Sequence, residues 1–137
     1  MDRIRENFTE SIQTKIAAAE VLSESIQTAA QMLAICLLNG NKILACGNGA
    51  SAALAQLFVS HLMSRFETTR PSLPAIALTC DGNLMSSLSH YGKFEDVYAH
   101  QIRALGQQGD ILVLITTEED NRELIHAAEA ALSRDMT

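Results

Sequence analysis

The chain has 137 residues, enough for one domain with its own core, and 47% of them are apolar, which excludes a disordered polymer. Only 4% are aromatic, so closely packed helices with small faces are expected. The formal net charge of -6, from 16 acidic and 10 basic side chains, argues against broad binding to DNA or RNA and leaves protein partners open.

Ile4, Phe8, Ile12 and Ile16 recur every four residues, and Leu22, Ile26, Leu33 and Leu37 continue the stripe. This is the period of a helix with one apolar side, which the polar stretch Ser23 to Ser25 either divides or merely wets. Asn39-Gly40 supplies a stop. Residues 1–40 are therefore expected to form a helical arm, whose stripe folds back over the domain or, as the favoured reading, packs against a second subunit. Residues 41–137 then read as an α/β domain. Lys42 to Cys46 is a short buried strand, and Ala52 to Arg65 has helical composition. Pro71 and Pro74 mark a connection to a second strand, Ala75 to Thr79. After a loop at Cys80 to Asn83 come a short helix near Leu84 to Ser89 and a longer one from Glu95 to Leu105. Ile111 to Ile115 is the strongest strand signal, and Asn121 to Ser133 returns to helical periodicity. Strands alternating with crossover helices predict a parallel sheet with right-handed connections. Three strands make a thin core, so either a domain shortened at its C-terminal end or dependence on oligomerisation is expected.

Cys36, Cys46 and Cys80 are odd in number and form no CxxC pair, so neither a disulfide framework nor a metal site is indicated. Buried free thiols in the cytoplasm are the expectation. The charged start Asp2, Arg3, Arg5 and Glu6 is unlike a signal peptide, and no apolar run approaches membrane-spanning length, so no membrane partner is expected.

The turn Cys46-Gly47-Asn48-Gly49-Ala50-Ser51 lies between a strand and a helix. Glycines let the backbone approach a ligand, while a helix N-terminus favours an anion. Gly47, Asn48, Gly49 and Ser51 are thus candidate ligand-binding residues for phosphate or sugar hydroxyls. A tight turn with Ser51 as a helix cap explains the same residues without a ligand. The loop lacks both the full GxGxxG fingerprint and a P-loop lysine.

Longer stretches carry a more specific resemblance: Thr9 to Thr14, Cys46 to Ser51, Arg65 to Thr68, Arg70 to Leu78, Asp96 to Ala99, Gln101 to Gly106, and Gly109-Asp110. Across essentially its whole length the chain resembles the sugar isomerase (SIS) domain family, in particular the phosphoheptose isomerase branch and its replication-initiator-associating relatives. The resemblance implies a flavodoxin-like, parallel-sheet, three-layer α/β sandwich with a helical arm that joins subunits into a dimer or tetramer. It implies a phosphosugar site at the carboxyl ends of the strands, and no cofactor.

In the family a second loop of the form Ser-Thr-x-Gly-Asn-Ser wraps the substrate phosphate. Its positions here read Thr116-Thr117-Glu118-Glu119-Asp120-Asn121. Thr116 and Thr117 keep the hydroxyls and remain candidates for ligand binding. Glu118, Glu119 and Asp120 bring three negative charges beside the expected phosphate, costing about a few kcal/mol where water is scarce. The same residues also make an ordinary acidic helix start. The family's catalytic pattern of histidine and glutamate four residues apart reads Leu57 and His61 here, leaving His61 as a weak candidate base, with a structural role as the alternative. The family's other catalytic histidine belongs to a C-terminal helix beyond the residues that match. His90 replaces an acidic residue, Asp81 sits at the mouth of the sheet or is simply a solvated loop residue, and His100 and His126 read as surface or packing side chains. These replacements lead to the expectation of a non-catalytic oligomeric scaffold, and the resemblance implies that its partner is the replication initiator DnaA. The alternatives are a sedoheptulose 7-phosphate isomerase and a phosphosugar sensor.

Overall fold

A computed structural model of the chain describes residues 2–137. They divide into two compact units, the first ending at Ile35 and the second running from Cys36 to Thr137.

The first unit belongs to one helix, α1 (Asp2–Leu38), which continues through Ser23 to Ser25 without a break. The polar side chains there do not compete with the helix. Ser23 Oγ donates to the Ala19 carbonyl and Thr28 Oγ1 to the Glu24 carbonyl, each back-bonding one turn. Ile4, Phe8, Ile12 and Ile16 are all exposed. Contrary to the expectation from contiguous runs, α1 holds an 18-residue stretch of mean hydropathy 1.4, long and apolar enough by length and composition to cross a membrane. Its alanines and leucines raise the average although polar residues interrupt every run. The helix ends in a Schellman motif. Gly40, with φ 80°, donates to Leu37 O at 3.1 Å, and Asn41 N donates to Cys36 O at 3.1 Å.

The second unit is a three-layer α/β sandwich. Strands β1 (Ile43–Gly47), β2 (Ala75–Ala77) and β3 (Ile111–Ile115) form a parallel sheet in the order β2-β1-β3. Central β1 is buried along its length, as an apolar strand flanked on both sides must be. Its Leu44 and Cys46 face a core with Leu78, Val97, Tyr98, Ile102, Leu124 and Ala127. That layer is built from α3 (Gly82–His90), a 3-10 turn (Phe94–Asp96), α4 (Val97–Leu105) and α5 (Arg122–Leu132). Ile43 and Ala45 point the other way, against α2 (Ala50–Met63), which buries Ser51, Ala55 and Val59 at a four-residue period. The helices fall on opposite faces because the crossovers step in opposite directions, from β1 to β2 and then back past β1 to β3.

At the amino end of the sheet, the fully buried Asp110 is the main polar feature. It accepts from Lys42 Nζ at 2.5 Å, Gln107 N at 2.9 Å, Lys42 N at 3.0 Å and Asn41 Nδ2 at 3.3 Å. Burial pushes its carboxyl pKa up, but these hydrogen bonds outweigh burial and hold it below the ordinary carboxylate value. At the outer edge of β3, Thr137 N donates to Asp110 O at 3.1 Å and Leu112 N to Thr137 O at 2.8 Å, the two-bond pattern of a parallel neighbour.

Candidate functional site

A parallel sheet in this order has its switch point between β1 and β3, where the loops leaving the two carboxyl ends part toward different faces and open a crevice. The structure has a cleft of about 180 Å³ at that position, lined by Asn48, Gly49, Ala50, Ser51, Thr116, Thr117, Glu118 and Asn121. Five of the six candidate ligand-binding residues, Asn48, Gly49, Ser51, Thr116 and Thr117, therefore come together although they lie far apart in sequence.

The sixth, Gly47, shapes the crevice from beneath. A Cβ there would lie 2.6 Å from Ile115 O and 2.9 Å from the backbone of Ser51. Only glycine lets the first turn of α2 approach β3 this closely. Ser51 is not the helix cap. Gly49 occupies that position and makes no side-chain cap bond, while Ser51 is buried in the first turn.

Asn48 is held by protein groups on every side. The Tyr98 hydroxyl lies 2.7 Å from both Gly47 O and Asn48 Oδ1. Asn48 Nδ2 donates to Asn121 Oδ1 at 3.1 Å and to Glu123 Oε2 at 3.3 Å. Asn121 Oδ1 also accepts from Leu124 N at 3.2 Å, which makes Asn121 the N-cap of α5. Burial, with Cys46 and Glu123 nearby, raises the Tyr98 pKa to about 12, so the phenol keeps its proton. Burial also raises Cys46 to about 12.

On the opposite wall, Thr116 Oγ1 accepts from Glu118 N and donates to Glu118 O, both at 3.0 Å. This hydroxyl organises its own loop, while Thr117 is exposed beside it. Glu118 lines the cleft; Glu119 and Asp120 follow it in the exposed loop before α5.

His61 lies elsewhere. It is ten residues beyond Ser51 on α2, about 15 Å along the axis, in an apolar groove with Phe58, Leu62, Phe66, Arg70 and Leu73. Its ring meets Phe66 edge-on at 5.1 Å, and its carbonyl accepts from Arg70 at 2.6 Å, which closes the C-terminus of α2. Leu57 is half exposed on the same helix. Asp81 caps α3 by accepting from Leu84 N at 2.9 Å. His100 Nδ1 lies 3.1 Å from Asp96 O, His126 Nδ1 lies 3.0 Å from Asp96 Oδ1, and His90 packs edge-on against Tyr91. Cys36 and Cys46 are buried as expected. Cys80 is exposed because it stands in the loop beyond β2, outside either packed layer. Among the described residues, no three His, Cys, Asp or Glu side chains group as metal ligands.

Sequence reasoning gave no role to Tyr98, Asn121 or Glu123. An Asn just ahead of a helical run is a recognisable cap signal. Nothing local marks Tyr98, whose hydroxyl partners lie about fifty residues away.

Comparison with known proteins agrees with this architecture. Residues 7–137 match the SIS domain family profile. The chain is 53% identical over 137 residues to the DnaA initiator-associating protein DiaA of Photorhabdus laumondii, covering 100% of this chain and 70% of that protein. It is 55% identical over 137 residues to a phosphoheptose isomerase of Shewanella frigidimarina, with the same coverage of both. The solved phosphoheptose isomerase of Francisella tularensis superimposes with a TM-score of 0.95 at 43% identity, over 99% of this chain and 71% of that one. The chain belongs to the SIS-domain family, in the branch that holds both phosphoheptose isomerases and DnaA initiator-associating proteins.

Proposed function

We propose that the cleft between the Gly47–Ser51 and Thr116–Asn121 loops binds a phosphosugar, the ligand class suggested by the phosphoheptose isomerases this chain is similar to. The observation that carries this reading is the cleft's place at the switch point, with the first turn of α2 in its wall. The dipole of the helix start favours a phosphate there, with Ser51 beside it, while Ser51 N and Ala52 N already donate to Asn48 O and Gly49 O. Thr117 and Glu118 suit the sugar end, since a carboxylate accepts from hydroxyls but repels a phosphate. This orientation turns the anion away from the acidic loop. None of the four histidines lines the cleft, so we expect binding without isomerisation by this chain.

Calorimetric titration of the pure chain with sedoheptulose 7-phosphate, and with sedoheptulose as the uncharged control, tests the reading. Saturable binding of the phosphate ester, at least about tenfold tighter than the control, is expected. Equal affinities, or no binding of either, would sink it. Chromatographic detection of isomerised product would replace binding alone with the isomerase reading.

A second reading is favoured by the 53% identity to DiaA over the full chain: an oligomeric scaffold, formed through the α1 stripe in residues 1–40, that contacts the initiator DnaA in the cytoplasm. Light scattering and a pull-down with purified DnaA test it. A monomer would remove the stripe as an interface, and absence of DnaA capture would remove the partner.

A further inference from the structure

The two walls of the cleft are tied together through the Asn48 side chain, which one buried hydroxyl holds in place. Tyr98 is 1% exposed, its ring sits in the core beneath β1, and its single hydroxyl proton faces two acceptors at 2.7 Å, Gly47 O and Asn48 Oδ1. From Asn48 the chain of bonds continues through Nδ2 to the cap of α5 at Asn121 and to Glu123. Ser51 N in turn donates to Asn48 O at 3.0 Å, so the residue that receives the hydroxyl also starts α2. A primary amide has two acceptor lone pairs and two donor hydrogens. In Asn48 both hydrogens are engaged by protein, and one lone pair shares the Tyr98 proton with Gly47 O. The side chain is therefore a strut between the loops, and a ligand meets what the strut holds in place.

We infer that Tyr98 is a positioning residue for the cleft, fixing through Asn48 the separation of the α2 start from the Thr116–Asn121 loop. This rests on the phosphosugar reading for its ligand consequence, though the strut itself does not. Anchoring from the core explains how a wall made of two exposed loops keeps one spacing. The strut's partners come from β1, α4 and α5, elements that share one packed core and do not slide past one another freely.

The test uses the full chain carrying Tyr98→Phe, which keeps the ring in its slot and removes only the hydroxyl. Gln101→Leu is the control. Gln101 is a buried α4 residue whose Nε2 donates to Leu78 O at 2.8 Å and Val97 O at 3.1 Å, so its loss costs comparable stability away from the strut. Titration with sedoheptulose 7-phosphate should show about tenfold weaker binding for Tyr98→Phe and wild-type affinity for Gln101→Leu. Equal weakening in both variants, or none in Tyr98→Phe, would overturn the inference. If the wild type binds no phosphosugar, the function proposal fails while the strut is still decided by NMR of the Asn48 side-chain amide. Its hydrogens should exchange at least about tenfold more slowly in the wild type than those of exposed Asn83, and speed up in Tyr98→Phe. Fast exchange in the wild type needs no folded variant to be measured, and it would overturn the proposal outright.

Discussion

The two ends of the sheet use similar groups for opposite purposes. At the amino end, Asp110 is wholly buried, paired with Lys42, and bonded by two backbone N–H groups and Asn41. At the carboxyl end, Glu118 lines a cleft and Glu119 and Asp120 stand exposed in the same loop, beside the Asn48 strut and the turn closed by Thr116. A carboxylate whose lone pairs are all filled by protein is a fastener. One left facing water and a cavity changes which ligand the cavity accepts.

The comparison breaks most visibly at Gly47, where the carboxyl end depends on one close approach. Gly47→Ala forces backbone to move at Ile115 and Ser51, and a loss of more than about 3 kcal/mol, read by urea unfolding, is expected. A loss under about 1 kcal/mol would mean that the carboxyl end yields easily. Next is Asp110→Asn, which keeps the shape and removes the charge partnered by Lys42. Stability should fall by about 3 kcal/mol.

Acid titration sharpens the same contrast. The folded pKa of Asp110 is depressed, so its contribution is present above the unfolded carboxylate value of 3.8 and is lost as pH falls through the lower folded value. Urea unfolding from neutral pH down through that window should show the wild type losing this increment and Asp110→Asn lacking it. Parallel pH curves would refute the fastener role.

At the carboxyl end the expected effects are smaller. The double variant Glu119→Gln/Asp120→Asn should leave stability within about 0.5 kcal/mol, since both side chains are exposed. It should tighten sedoheptulose 7-phosphate binding about threefold at low salt, and the gain should vanish at high salt. An unchanged affinity would mean that the acidic loop does not reach the ligand's field. Smallest is thiol labelling of the native chain, in which Cys80 alone should react promptly with an aromatic disulfide reagent. Cys36 and Cys46, both raised by burial, should wait for unfolding.

Much of this was legible in the chain's local chemistry. The Ile111–Ile115 strand was read with its observed bounds, and Gly40 ended α1 where a left-handed residue was called for. The β1–α2 turn was legible because a strand, two glycines and a helix start must meet in a few residues. The long helical stripe was also plain, though Ser23 to Ser25 left its continuity open until the back-bonded hydroxyls resolved it. The second ligand loop was located through family resemblance; its own composition reads equally well as an acidic helix start.

By itself, then, the sequence determined the alternation of strands and helices, the arm, the first loop and the acidity of the second, because each rests on neighbours within a few residues. Tertiary structure alone decided the β2-β1-β3 order that brings the two loops together, and the removal of His61 to a groove about 15 Å away. It also decided that Asp110 is a fastener and that Asn48 is a strut anchored by Tyr98. The physical reason is the same each time: a hydrogen bond's partner is chosen by the packing of the core, and the partners here lie about fifty to seventy residues apart in the chain.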